Sequence, residues 1–118
     1  MADKKEISEK QLTNKILKWL NEQPMSYFIK IHGNRYQTAT VDIMGVWRGI
    51  FVAFEVKRSK KQRLTKRQEY ALKKMREAGG EAHAVYSLDE VKELFEINIK
   101  KHEMEQVFGK GEDMYDDL

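Results

Sequence analysis

The chain has 118 residues, 41% hydrophobic and 35% charged, enough for one compact domain and not two. It has no Cys, which excludes disulfides and thiolate zinc sites, and its longest apolar run, Ile50 to Phe54, is far too short to cross a bilayer. Its net charge of +3 is uneven: residues 1–101 carry 21 Lys/Arg against 13 Asp/Glu, and residues 102–118 carry one Lys against six acids. A basic body points either to a polyanion partner, most simply nucleic acid, or to solubility alone. The first residues lack the apolar core of a signal peptide, so an intracellular, cytoplasmic protein is expected.

Ser8 to about Gln23 is predicted as an amphipathic helix. Ser8 is a favourable N-cap, Gln11 stands at the capping-box position, and Leu12, Ile16, Trp19 and Leu20 form the apolar stripe. Glu9 projects near that stripe. It is either a first-turn acid favoured by the helix dipole or part of a site. Pro24 ends the helix.

Ser26 to Gly33 is predicted as a strand, followed by a polar loop, Gly33 to Thr40, in which Arg35 and Tyr36 adjoin. That pair can contact phosphate and stack on a base, or simply join two strands. Thr40 to Lys57 then contains two strands and a tight turn at Arg48-Gly49. In the second of them Ile50, Val52, Phe54 and Val56 share one face and Phe51, Ala53, Glu55 and Lys57 the other. Both faces begin apolar, which predicts a central strand covered on both sides. A Glu and a Lys at the end of such a strand are costly to bury without partners. Asp42, in the preceding strand, can lie beside them. Two carboxylates and a lysine at the mouth of a buried sheet suit a Mg²⁺ ion held against a phosphate.

Residues 57–67, KRSKKQRLTKR, hold seven basic side chains and no acid. The run is either a solvated face or a phosphate-contacting loop. A second helix is predicted from Thr65 to Ala78, capped by Thr65, with Ala71, Leu72 and Met75 buried. Gln68 either only closes the capping box or also turns towards the sheet. Gly79-Gly80 stops the helix. Glu81 to Tyr86 is predicted as a fourth strand, and Ser87 caps a third helix, with Glu90 completing another capping box and Val91, Leu94, Phe95 and Ile99 as its stripe. Periodicity fades after Phe108, which predicts a frayed extension and a flexible acidic end. His32, His83 and His102 lack metal-ligand spacing.

The order helix, three strands, helix, strand, helix, with D…ExK on the second and third strands, resembles the PD-(D/E)XK nuclease superfamily. More closely it resembles the small stand-alone VRR-NUC nucleases of phages and prophages. The matching pieces are SEKQLTNKILKWL, VDIMG, GIFVAFEVKRS and LTKRQEYALKKMREAGGEAHAVYSLDEVKELF, covering residues 8 to about 97. One departure is that Val41, rather than the usual Pro, precedes Asp42.

The resemblance implies an α/β restriction-endonuclease-like core of order αβββαβα, a mixed central sheet flanked by helices, over residues 1–101, with 102–118 as an extension. It implies Asp42, Glu55 and the Val56 main-chain carbonyl as metal ligands, and Glu9 completing the metal site through water. Lys57 would act at the scissile phosphate, and Gln68 would support Lys57 or the substrate. Arg35, Tyr36, Arg58, Lys60, Lys61, Arg63, Lys66 and Arg67 would contact DNA. The implied activity is Mg²⁺-dependent DNA hydrolysis, with Mn²⁺ substituting, in a bacterial cytoplasm if phage-encoded. Branched DNA such as a four-way (Holliday) junction would be cut by a homodimer. Trp19, Phe95, Met104, Val107 and Phe108 are the expected pairing patch, or else they cap the core. The alternative is a binding module on a nuclease fold that has lost cleavage.

Overall fold

The computed structural model describes residues 7–33 and 41–108, with side chains as far as Lys101. Arg35 and Tyr36 lie outside the described residues, as do the side chains of Met104, Val107 and Phe108. The elements are α1 (Glu9–Glu22), β1 (Ser26–Lys30), β2 (Ile43–Trp47), β3 (Ile50–Val56), α2 (Lys66–Glu77), β4 (Glu81–Val85) and α3 (Leu88–Phe108). This is the expected order αβββαβα. The chain forms two compact units, Met1–Leu88 and Asp89–Leu118. α3 runs unbroken past residue 101, so no break in helix marks the expected start of the extension. Within it Val91 and Phe95 are buried.

The first unit is built on one mixed sheet of order β1-β2-β3-β4. β1, β2 and β3 pair antiparallel, and β3 pairs parallel with β4 through a crossover carried by α2. The β2–β3 turn has Arg48 and Gly49 both at positive φ, 51° and 82°. Two left-handed central residues give the twist that a two-residue hairpin needs. The starts of α1 and α2 follow from their capping boxes. Ser8 and Gln11, then Thr65 and Gln68, exchange side-chain and backbone hydrogen bonds reciprocally.

α1 lies against β1 and β3, with Leu12, Thr13, Ile16 and Leu20 buried. Its Asn21 amide donates to the Phe28 carbonyl at 3.0 Å and accepts the Phe28 N–H at 2.8 Å, so the side chain occupies backbone groups of an edge strand. On one face of the sheet, Leu72 of α2 packs with Val41, Ala53 and Ala82, flanked by Met44, Met75 and Ala84. Arg76 ties the same helix to β4 through the Ala82 carbonyl, 2.7 Å. β2 carries a glycine, Gly45, where a Cβ would run into the Tyr27 carbonyl oxygen and the Phe28 ring.

Two expectations change here. β1 ends at Lys30 rather than at Gly33. β3 is buried from Val52 to Val56, but Ile50 and Phe51 at its start are exposed, because they follow directly on the turn at the sheet's end. Phe51 is instead one member of a cross-strand row, Tyr27, Val46 and Phe51, in register on one face and exposed throughout.

Candidate active site

The antiparallel and parallel pairings bring the start of β2 and the ends of β3 and β4 to one edge of the sheet. In open α/β sheets ligands bind beyond the carboxyl ends of the strands. Asp42 sits just before β2 and is fixed by its own backbone. Its N–H donates to the Phe54 carbonyl at 3.0 Å, and its carbonyl accepts the Ile31 N–H at 2.8 Å. Its carboxylate accepts the Val56 N–H at 2.7 Å, which pins the side chain across the end of β3. Val56 thus follows Glu55 in β3 and is tied through its main chain to Asp42.

Glu55 is 5% exposed and is one of two buried polar or charged side chains among the described residues. Its carboxyl takes the Gln68 amide N–H at 2.8 Å and stands 3.7 Å from the Lys57 ammonium. Its pKa is pushed up to about 8, first by loss of hydration on burial and next by the Asp42 charge. Lys57 opposes that rise, while a side-chain hydrogen bond with Asp42 and the charge of Glu9 add to it. A carboxyl so placed holds its proton more tightly than an ordinary glutamic acid does.

Asp42, Glu55, Lys57 and Gln68 are therefore together. Glu9 is half-buried in the first turn of α1 and close enough for its charge to act on Glu55. Thr13 steadies that turn by donating to the Glu9 carbonyl at 2.8 Å. Gln68 does both things the sequence left open: its oxygen closes the capping box at Thr65 and its nitrogen reaches the site. Its hydrogen-bond partner there is Glu55, which itself stands 3.7 Å from Lys57. Arg58, Lys60, Lys61, Arg63, Lys66 and Arg67 are all exposed on the loop leaving the site and the start of α2.

The donor set is hard oxygen, which fits Mg²⁺. Among the described residues no group of three or more His, Cys, Asp or Glu side chains is placed to hold a metal. Two carboxylates and a main-chain oxygen leave room for the several waters that Mg²⁺ retains. Sequence reading did not single out Tyr86, Gln62 and Glu69, which line a cavity. Their signal is positional, since Gln62 and Glu69 follow site segments by a few residues, but only the folded chain brings them together.

A mixed four-stranded sheet with an acid ahead of β2 and an acid-x-lysine ending β3, steadied by a glutamine from the crossover helix, defines a nuclease of the PD-(D/E)XK kind. The chain belongs to the RecU family: the model of that family, Recombination protein U, matches residues 3–113. Two solved structures share the fold. One, a VRR_NUC domain, has a TM-score of 0.62 at 20% identity and covers 76% of this chain and 97% of its own. The other, a VRR_NUC domain protein, has a TM-score of 0.65 at 16% identity, with coverages of 81% and 91%. No curated protein matches the sequence. Among the described residues no helix is long and apolar enough to cross a membrane.

Proposed function

We propose that the protein is a Mg²⁺-dependent endonuclease acting on branched DNA, four-way junctions above all, as a pair of identical copies. The observation that carries this reading is the buried Glu55 beside Asp42 and Lys57 at the carboxyl end of β3. Two acids crowded around one lysine leave a deficit of positive charge that a divalent cation would correct. The family's name, which speaks of recombination, supports a junction as substrate.

In this reading Asp42, Glu55 and the Val56 carbonyl hold the metal, with Glu9 behind them through water. When bound, Mg²⁺ neutralises charge on the scissile phosphate and acidifies a water. Lys57 contacts that phosphate and orients the attacking water, and Gln68 keeps Glu55 turned inward. The exposed basic residues from Arg58 to Arg67, with Arg35 and Tyr36, track the backbone. One copy offers one site and so one incision. A two-fold pair presents two sites to a symmetric junction. Of the expected pairing patch, Phe95 is buried and Trp19 half-buried, which takes Phe95 out of a free surface. The exposed row Tyr27, Val46 and Phe51 supplies an apolar surface in its place.

The test is incubation with four-way junctions and linear duplex, with and without Mg²⁺, alongside light scattering. Paired symmetric cuts on the junction by a species twice the 14.0 kDa chain mass are expected. Binding without cleavage in Mg²⁺ or Mn²⁺ would leave a binding module instead. Equal cutting of linear duplex would remove the junction preference, and a 14.0 kDa species the pairing.

Neutralising Lys60, Lys61 and Arg63 together should weaken binding whatever the sequence. It should also reduce the slope of log affinity against log salt by about one unit per lost phosphate contact. An unchanged slope would make the run a solvated face.

A further inference from the structure

Two segments that carry site residues, and the end of β4 that is bonded to one of them, also line a cavity of about 350 Å³ a few positions further on. Lys57 is followed by Lys60, Gln62, Arg63 and Leu64. Gln68 is followed by Glu69. Val85, whose carbonyl accepts the Lys57 N–H at 2.9 Å, is followed by Tyr86. The Lys60 ammonium lies 5.9 Å from the centre of the Tyr86 ring. The loop is shaped by Gln62, whose N–H donates to the Ser59 carbonyl and whose side-chain oxygen accepts the Arg58 N–H. Among the described residues the Glu69 carboxylate has no hydrogen-bond or ion-pair partner.

The lining thus offers one aromatic ring, two cations and one carboxylate in a space at the small end of ligand sites. The ring suits a flat π-face and the cations suit a phosphate. The carboxylate repels phosphate and accepts only from N–H or O–H donors; an exocyclic amino group at the base edge suits it, whereas the one edge N–H of thymine lies between two carbonyl oxygens that repel it. A paired base hides both its faces and its Watson–Crick edge, so only an unpaired base can use this set.

We propose that the cavity is a subsite for one unpaired nucleotide next to the scissile phosphate. Its base stacks on Tyr86, its phosphate is held by Lys60 and Arg63, and Glu69 selects a base with an exocyclic amino group over thymine. The proposal rests on the nuclease reading, and its test is a binding experiment in metal-free buffer, where cleavage plays no part.

The probes are a junction-like DNA with one unpaired 2-aminopurine, the same DNA with unpaired cytosine or thymine, and a fully paired duplex. The wild type and Tyr86→Phe should quench 2-aminopurine emission on binding. Tyr86→Ala should bind without quenching, its affinity for the unpaired DNA falling on the order of tenfold and that for duplex unchanged. Glu69→Gln should lose the preference for cytosine over thymine. Equal quenching by Tyr86→Ala, or equal binding of cytosine and thymine by the wild type, would overturn the proposal. A wild type that binds DNA with unchanged emission removes the subsite alone. One that binds no DNA removes the functional reading as well.

Discussion

Asp42→Asn, Glu55→Gln and Lys57→Ala should each lower single-turnover cleavage in Mg²⁺ by on the order of a thousandfold or more, with the fold intact. Each removes a group that the others cannot replace. In the first variant the amide oxygen would still accept the Val56 N–H that Asp42 accepts at 2.7 Å, so the backbone clamp survives while the charge is lost. In the second, the new amide has the shape of a carboxyl that burial already keeps protonated, and its oxygen can still take the Gln68 N–H. Lys57→Ala removes the ammonium 3.7 Å from Glu55 and leaves that acid neutral rather than stranded as a buried charge. Circular dichroism and melting profiles near the wild type, together with lost turnover, are the expected outcome. Wild-type turnover in any one of the three would show that its residue is misassigned.

Features written in local chemistry were legible in the sequence. Ser8 with Gln11, and Thr65 with Gln68, announced the capping boxes of α1 and α2, and Arg48-Gly49 announced the hairpin. The period-two pattern of β3 put Glu55 and Lys57 on one face without reference to the fold. What stayed hidden depends on which distant segments meet. Tyr27 and Val46 look like ordinary strand residues, and only the register Tyr27↔Val46↔Phe51 makes them one exposed row. Gln68 sits 13 residues from Glu55, and its second hydrogen bond required the crossover to bring the start of α2 over the end of β3. The cavity lined by Lys60, Glu69 and Tyr86 draws on a loop, a helix and a strand end at once, so no single window of sequence contains it.

Metal-free protein should lose stability as pH rises from about 5 to about 8. Glu55 has a pKa of about 8 in the fold against an ordinary 4.5. Below 4.5 the carboxyl is protonated whether the chain is folded or not, and the contribution is fully present. Between the two values the folded chain keeps the proton and the unfolded chain has lost it. Each unit of pH therefore removes at most about 1.4 kcal/mol of folded stability. The loss is complete once pH passes the folded value. A divalent cation binds the ionised acid, so Mg²⁺ should bind up to about tenfold more tightly per pH unit across this window and release close to one proton near pH 7. Thermal melts in chelator and in Mg²⁺ at pH 5, 6.5 and 8, on the wild type and Glu55→Gln, separate this group from every other that titrates. The wild type should fall relative to Glu55→Gln in chelator as pH rises, and Mg²⁺ should recover the difference. Parallel melting curves for the two proteins across that range would mean that Glu55 ionises normally, and the charge deficit that motivates a metal at this site would be gone.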